Sequence, residues 1–340
     1  MSKIRAWAAQ EPKQALVPYE YDAGELGPDE VEIQVENCGL CHSDLSILDN
    51  DWGISSYPLV PGHEVIGRVV ALGEHAKGKG LSMGQRVGLG WTAASCMHCR
   101  QCLSGNQHLC PEALPTIVGH YGGFAERVRG QWDWVIPIPE GVDASSAGPL
   151  LCGGITVFFP LYIFGIRPTQ HVGVVGIGGL GHMALKFASA WGCEVTAFSS
   201  SLAKYDEAKS FGAHHVVSSR DPEAVRALAN SFDLLIVTAN VSLDWPIWIA
   251  ALAPQGRLHF VGVVPEPVPI TVFDLIGAQK SVSGSPAGSP VAIAEMLDFS
   301  ALHNISPQVE HFKMKDVNKA LDRLRAGEAR YRIVLDADFA

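Results

Sequence analysis

Cys96, Cys99, Cys102 and Cys110 follow one another as C-x2-C-x2-C-x7-C, a thiolate spacing suited to tetrahedral Zn²⁺. Elsewhere stand Cys41, His63 and Cys152, with Glu64 adjacent to His63, a mixed set of possible metal donors. Four thiolates close a structural site, whereas two thiolates and one imidazole leave a coordination position free for water or substrate. One zinc would then hold a loop and a second would do chemistry. The competing reading of the cluster is a pair of disulfides. Met1 to Gln10 contains Lys3 and Arg5 but no apolar run of a secretory leader, so a reducing cytoplasm is expected and metal is favoured over disulfide. Cys38 and Cys193 have no evident partners and read as small buried apolar residues.

A second chemical signature is Gly176-Ile177-Gly178-Gly179-Leu180-Gly181, a G-x-G-x-x-G. In a chain with 35 glycines such a string alone means little. Here it follows an apolar strand, His171 to Val175, and opens a helix expected over Leu180 to Trp191, the context in which it binds a dinucleotide. Gly176 permits the tight turn, Gly178 lets the backbone approach a diphosphate, and Gly181 lets helix and strand pack closely. The diphosphate would lie at the helix N-terminus, where free N–H groups favour anions. An NAD-binding unit places Asp or Glu about twenty residues further on to accept from the ribose 2′-hydroxyl. At that position this chain has Ser199-Ser200-Ser201, with Lys204 nearby. Hydroxyls and an ammonium suit a 2′-phosphate, so NADP(H) is expected over NAD(H). Ser201 also reads as an N-cap for the next helix.

The elements that must position these groups fall into two parts. Residues 1–150 look β-rich: Val31 to Val35 alternates as a half-buried strand, Glu64 to Ala71 and Arg86 to Leu89 supply further β-branched runs, and Gly27-Pro28 and Pro61-Gly62 mark turns. Residues 151–285 alternate strand and helix. Strands are expected at His171 to Val175, Glu194 to Phe198, Leu234 to Val237 and Arg257 to Val261, with a second helix over Leu202 to Phe211. That succession implies an α/β fold with βαβ units and a doubly wound parallel sheet. Glycine, serine and proline rise near Gly284 to Pro290, suggesting a boundary. A helix over Val317 to Leu324 and a strand over Tyr331 to Leu335 follow, so residues 286–340 are expected to return to the first domain.

Composition sets further limits. A length of 340 residues suits about two domains, and 47% hydrophobic with 18% charged residues is globular. A net charge of −10 argues against a nucleic-acid partner. No apolar stretch reaches the ~18 residues that span a bilayer; Ile155 to Ile166 is too short and contains Pro160. The expected partner is a small molecule.

Taken together, the chain resembles the zinc-dependent medium-chain alcohol dehydrogenases along nearly its whole length. Within them it looks closest to the cinnamyl-alcohol-dehydrogenase branch, through Cys41-His42-Ser43-Asp44, Tyr57-Pro58-Leu59-Val60-Pro61-Gly62-His63-Glu64, Tyr121-Gly122-Gly123-Phe124-Ala125-Glu126, Ser199-Ser200-Ser201, Ser283-Gly284-Ser285 and Arg330-Tyr331-Arg332. More narrowly it is similar to bacterial broad-specificity NADPH-dependent aldehyde reductases. The resemblance implies a GroES-like catalytic domain beside a Rossmann domain, and a homodimer joined at the edge of the nucleotide-binding sheet. It implies that Cys41, His63 and Cys152 bind the catalytic zinc, with Glu64 an exchanging or supporting ligand and Asp44 orienting His63.

Ser43 would hand a proton to the substrate oxygen. The usual relay histidine is replaced by Ser46, and Asp51, which matches a relay carboxylate, reads equally well as a solvated loop acid. Thr156, Gly262, Val263, Ser283, Gly284 and Ser285 would meet the nicotinamide half of the cofactor, and His42 and Arg332 its diphosphate. Trp52 and Trp91 fall where this branch lines its substrate pocket, implying aromatic or medium aliphatic aldehydes over sugars. Two other readings remain at this point: an NAD-dependent polyol or secondary-alcohol dehydrogenase, and a non-catalytic NADP(H)-binding scaffold.

Overall fold

The computed structural model describes residues 3–339. The chain forms two compact units, one spanning Thr156–Pro286 and the other made of the chain on either side of it.

The Thr156–Pro286 unit is built on six parallel strands: β1 (His171–Val175), β2 (Glu194–Ser199), β3 (His215–Ser218), β4 (Phe232–Val237), β5 (Leu252–Phe260) and β6 (Ser281–Gly284). Their order is β3-β2-β1-β4-β5-β6. The chain therefore reverses direction across the sheet between β1 and β4, and ligands of such sheets bind at that switch point, beyond the strand C-termini. Val172, Val174, Val195, Leu234, Leu235 and Ile236 are wholly buried, as expected of strands covered on both faces. Helix α1 (Gly181–Ala190) leaves β1 through the glycine loop. The expected helix over Leu202 to Phe211 is shorter: a 3-10 turn at Leu202–Lys204 precedes a helix at Tyr205–Ser210. Its N-cap is Lys204 rather than Ser201, because the Ser199 hydroxyl engages the backbone of Ser201 and holds that segment in a turn.

The other unit centres on the strand Glu30–Leu40. Its first half pairs with Arg127–Gln131, its last residues pair antiparallel with the closing strand Arg332–Asp336, and its other edge pairs with Glu64–Leu72. Arg86–Leu89 and Val135–Pro137 extend the sheet. Register decides what this brings together: Gly39 lies opposite Glu64, and Leu40 opposite Ile333. The residues next along the chain, Cys41, His63 and Arg332, are thereby delivered to one end of the sheet.

Candidate metal centres and nucleotide site

Asp44 organises the first centre. Helix His42–Leu48 begins at Cys41, and Asp44 in its first turn accepts from the Cys41 N–H at 2.9 Å, capping the helix that carries it. The other oxygen, Oδ1, accepts from the Gly62 N–H at 2.8 Å and meets His63 Nδ1 at 2.9 Å. Gly62 has φ 102°, and a Cβ there would strike Phe124, so only glycine makes the turn that presents His63. With Nδ1 engaged by a fully buried carboxylate, His63 Nε2 faces outward to within 3.3 Å of Cys152 Sγ. Cys152 lies between the 3-10 turn Gly148–Leu151 and the helix Gly153–Ile163. Its sulfur is 3.8 Å from Cys41 Sγ. Two sulfurs on a tetrahedral zinc with bonds of about 2.3 Å stand roughly 3.8 Å apart, so the donor set fits that ion. Glu64 supplies a fourth possible donor atom within the same group.

The donors interact electrostatically with one another and with Arg332. Arg332, largely buried, pairs with Glu64 Oε1, while Glu64 Oε2 is buried without a hydrogen-bond partner. Burial, partly offset by Arg332, pushes the Glu64 carboxyl up to about 7. The Cys152 thiol beside it holds Cys41 well below ordinary thiol values against the effect of burial. Burial disfavours the His63 imidazolium, yet Asp44 and Cys41 outweigh it and raise the ring well above its usual value. The Cys41 thiol and burial hold the Cys152 thiol well above its ordinary value, so of the two thiols Cys41 is the one favoured as thiolate, and a bound divalent ion would require the donors to give up their protons.

The neighbouring residues fall at different distances from this centre. Ser43 Oγ is 3.8 Å from Cys41 Sγ. Ser46 is buried one turn along, and its carbonyl accepts from the Asp51 N–H, while Asp51 itself is exposed. No side-chain hydrogen bond joins Ser46 to Asp51 among the described residues. The Trp91 ring meets His63 edge-on at 5.1 Å and Trp52 at 6.0 Å, with Trp52 38% exposed. Two aromatic faces thus run from the metal group towards solvent. His42 is exposed at the helix start. Arg332, expected at a diphosphate, has Glu64 as its ion-pair partner.

The second centre is a compact lobe. Cys96, Cys99, Cys102 and Cys110 form one group, with Cys96 Sγ 3.9 Å from Cys102 Sγ and 3.5 Å from Cys110 Sγ. Two backbone amides donate to these sulfurs, Cys99 N–H to Cys96 and Cys102 N–H to Cys99, a pattern that stabilises thiolate. All eight cysteines are free thiols; Cys38 and Cys193 are buried in the core.

The glycine loop divides its labour by position. Gly176 has φ 96°, and a Cβ on Gly181 would run into the Gly176 carbonyl, so both are fixed by the turn and by packing. Nothing lies within 4 Å of the point where a Gly178 Cβ would sit, which leaves the cradle open for a phosphate at the start of α1. Gly179 and Leu180 complete the loop, half-buried, with Leu180 as N-cap. Lys204 Nζ donates to the Ile177 carbonyl at 2.8 Å, which stations the ammonium beside the loop. Ser199 is only 2% exposed and its hydroxyl is spent on Ser201, so Ser200 and Ser201, with Lys204, are the groups left facing outward at the end of β2. Past β5 come Gly262, close to the Thr238 and Ala239 carbonyls, and Val263, which is exposed. Thr156 is half-exposed in the first turn of its helix.

Sequence reasoning missed His259. It is buried on β5, with Nδ1 2.9 Å from Ser283 Oγ and Nε2 2.9 Å from Ser285 Oγ, bracketing Gly284. Phe164 packs edge-on against its ring, and Arg257 lies over Phe164. Its period-2 spacing from Arg257 marks it as sharing one sheet face, but nothing in the sequence indicates that β6 presents two serines to it.

Comparison with known proteins agrees with this architecture. Residues 27–140 match the alcohol dehydrogenase GroES-like domain, and residues 179–301 match the zinc-binding dehydrogenase domain. The chain is 54% identical over 332 residues to the aldehyde reductase AdhA of Synechocystis sp., covering 98% of both chains. Among solved structures, a cinnamyl alcohol dehydrogenase of Sorghum bicolor superposes with a TM-score of 0.93 at 36% identity, covering 98% of each chain. A cinnamyl alcohol dehydrogenase of Helicobacter pylori, complexed with NADP(H), does so with a TM-score of 0.89 at 31% identity and the same coverage. The chain belongs to the zinc-dependent medium-chain alcohol dehydrogenases, in their cinnamyl-alcohol-dehydrogenase branch.

Proposed function

We propose that this oxidoreductase reduces aldehydes reversibly to primary alcohols with NADPH, with broad specificity for aromatic and medium aliphatic substrates. The observation that carries the reading is the Cys41–His63–Cys152 group, with Cys41 and His63 buried and Cys152 half-buried, Glu64 at its side and Trp91 packed against His63. Zinc bound there supplies a Lewis acid for the carbonyl oxygen, and NADPH supplies the hydride. Asp44 fixes the His63 tautomer, so that Nε2 carries the lone pair towards the ion. Trp52 and Trp91 offer flat apolar faces to an aldehyde side chain and no cluster of polar partners for a polyol. The Ser43 hydroxyl stands beside Cys41 and delivers the proton that the product oxygen needs. Ser46 and Asp51 bring protons back to it through solvent.

NADPH is preferred over NADH because Ser200, Ser201 and Lys204 can donate to a 2′-phosphate and no carboxylate is there to repel it. Two relatives support the same reading: one is an aldehyde reductase, and one structural neighbour is complexed with NADP(H). We further infer a homodimer. β6 is the sheet's edge strand, and Val272, Phe273 and Ile276 near it are 65%, 78% and 68% exposed, an apolar patch that a second copy would cover. No helix among the described residues is long and apolar enough to cross a membrane, and eight free thiols suit a reducing cytoplasm.

The test is a panel of benzaldehyde, cinnamaldehyde, hexanal and a sugar aldehyde assayed with NADPH and NADH. The expected result is turnover of the first three with NADPH at higher kcat/KM than with NADH. Turnover confined to polyols with NAD would contradict it, and NADPH binding without turnover of any aldehyde would point to the scaffold.

A further inference from the structure

Beside the four-cysteine lobe lies another group of metal donors. Cys96, His98 and Glu112 each offer a donor atom, and these lie within 4.8 Å of one another. Met97, between the first two, has φ 57°. Non-glycine residues rarely enter that left-handed region, and the reversal there lets Cys96 and His98 present their side chains together. His98 and Glu112 are exposed, and neither side chain has a hydrogen bond or ion pair with another described residue. The Cys96 sulfur is also the one in contact with Cys102 and Cys110 in the four-thiolate group. One thiolate therefore belongs both to a closed set and to an open, water-facing one. Within the closed set Cys102 and Cys110 are buried, whereas Cys96 and Cys99 are half-exposed, and of these two only Cys96 also belongs to the outer group.

We propose that Cys96, His98 and Glu112 form a receiving site through which a divalent zinc ion enters and leaves the four-cysteine lobe. The proposal rests on the reading that the lobe holds zinc. An arriving hydrated ion sheds all but one of its waters as it takes the Cys96 thiolate, a His98 nitrogen and a Glu112 carboxylate oxygen, becoming four-coordinate. Cys99, Cys102 and Cys110 then replace the imidazole, the carboxylate and the last water, each thiol releasing its proton to solvent as it ligates. The oxidation state does not change. Four thiolates suit zinc better than the mixed, solvated set does, so the ion rests inside, and the outer ligands act only during transfer.

A group that serves only as a path must speed entry and exit equally and leave affinity unchanged. The test therefore compares the wild-type holoenzyme with the double variant His98→Ala/Glu112→Gln. Zinc per chain is counted, zinc release to a chromogenic chelator is timed, and replacement of lobe zinc by added Cd²⁺ is followed by cadmium–thiolate absorption. Aldehyde reduction serves as the control for the other centre. The expected result is unchanged zinc content and equilibrium affinity, with both rates falling about tenfold, equivalent to roughly 1.4 kcal/mol on the barrier. Equal rates in the two proteins would overturn the proposal. Faster release with weakened affinity would also overturn it, since His98 and Glu112 would then be holding ligands. A wild-type lobe without zinc would instead refute the underlying reading, and the zinc count makes that failure distinguishable from the others.

Discussion

At the scale of single residues, Asp44 concentrates more positional information than the metal donors themselves. One carboxylate caps the helix of Cys41, holds the Gly62 turn and engages His63. Asp44→Asn keeps the shape but loses the charge that supports the His63 ring, and partners of this kind are worth about 10–100-fold in metal affinity or activity. The variant should release its catalytic zinc to a chelator faster and lose kcat/KM to that extent, as timed release and steady-state assays would read.

His259 makes a different prediction. Burial, reinforced by the Arg257 cation, pushes its ring down to about 4. An unfolded histidine takes up a proton below about 6.5, so this ring contributes stability that is present above 6.5 and is lost as pH falls towards 4. His259→Gln cannot titrate, and its melting temperature should fall less steeply across that window than that of the wild type. The NADPH KM should rise if Ser283 and Ser285 line the cofactor groove. At this scale sequence legibility depended on distance along the chain. The Asp44–His63 pairing could be anticipated from local motifs, whereas the Glu64–Arg332 pair joins residues 268 positions apart and depends on a strand register that no local pattern encodes.

At the scale of elements, the three glycines of the loop separate folding from binding. Gly178→Ala meets open space and should leave thermal stability nearly unchanged, while raising the NADPH dissociation constant roughly tenfold or more, about 1.4 kcal/mol, because its methyl occupies the phosphate cradle. Gly181→Ala drives a methyl into the Gly176 carbonyl and should lower the melting temperature as well. Calorimetry paired with cofactor titration checks both, and a Gly178→Ala protein that binds NADPH normally would remove the cradle from the account. Cys99→Ser should chiefly cost stability of the lobe, read as a lower melting temperature.

Buried strands and the glycine turn were readable because their signals are local: apolar runs of four to six residues and a fixed spacing. The helix Pro290–His303 was not. The Gly-Ser-Pro stretch before it reads as loop, but Ser289 accepts from the Ala292 N–H as an N-cap and Pro290 occupies the first helical position, where a missing N–H costs nothing. The same residue types that break structure also start it, and only the partner of the Ser289 hydroxyl tells which.

For the molecule as a whole, family membership and fold class rest on the agreement of two domain matches with full-length relatives, and the parallel sheet expected from the alternating pattern is present, with β3 and β6 added to the four expected strands. The cofactor preference belongs to this scale because it depends on the sum of charges at the end of β2. Ser201→Asp should weaken NADPH far more than NADH, measured by the ratio of their kcat/KM values, whereas equal losses would detach the serines from the 2′-phosphate.

The central claim is that the Cys41–His63–Cys152 group binds the zinc on which turnover depends. It is tested most directly by counting zinc per chain in active protein and in Cys152→Ser, alongside NADPH-dependent benzaldehyde reduction. The account predicts two zinc ions per active chain, and one in a folded but inactive variant; an active Cys152→Ser protein, or full turnover with fewer than two zinc ions, would contradict it.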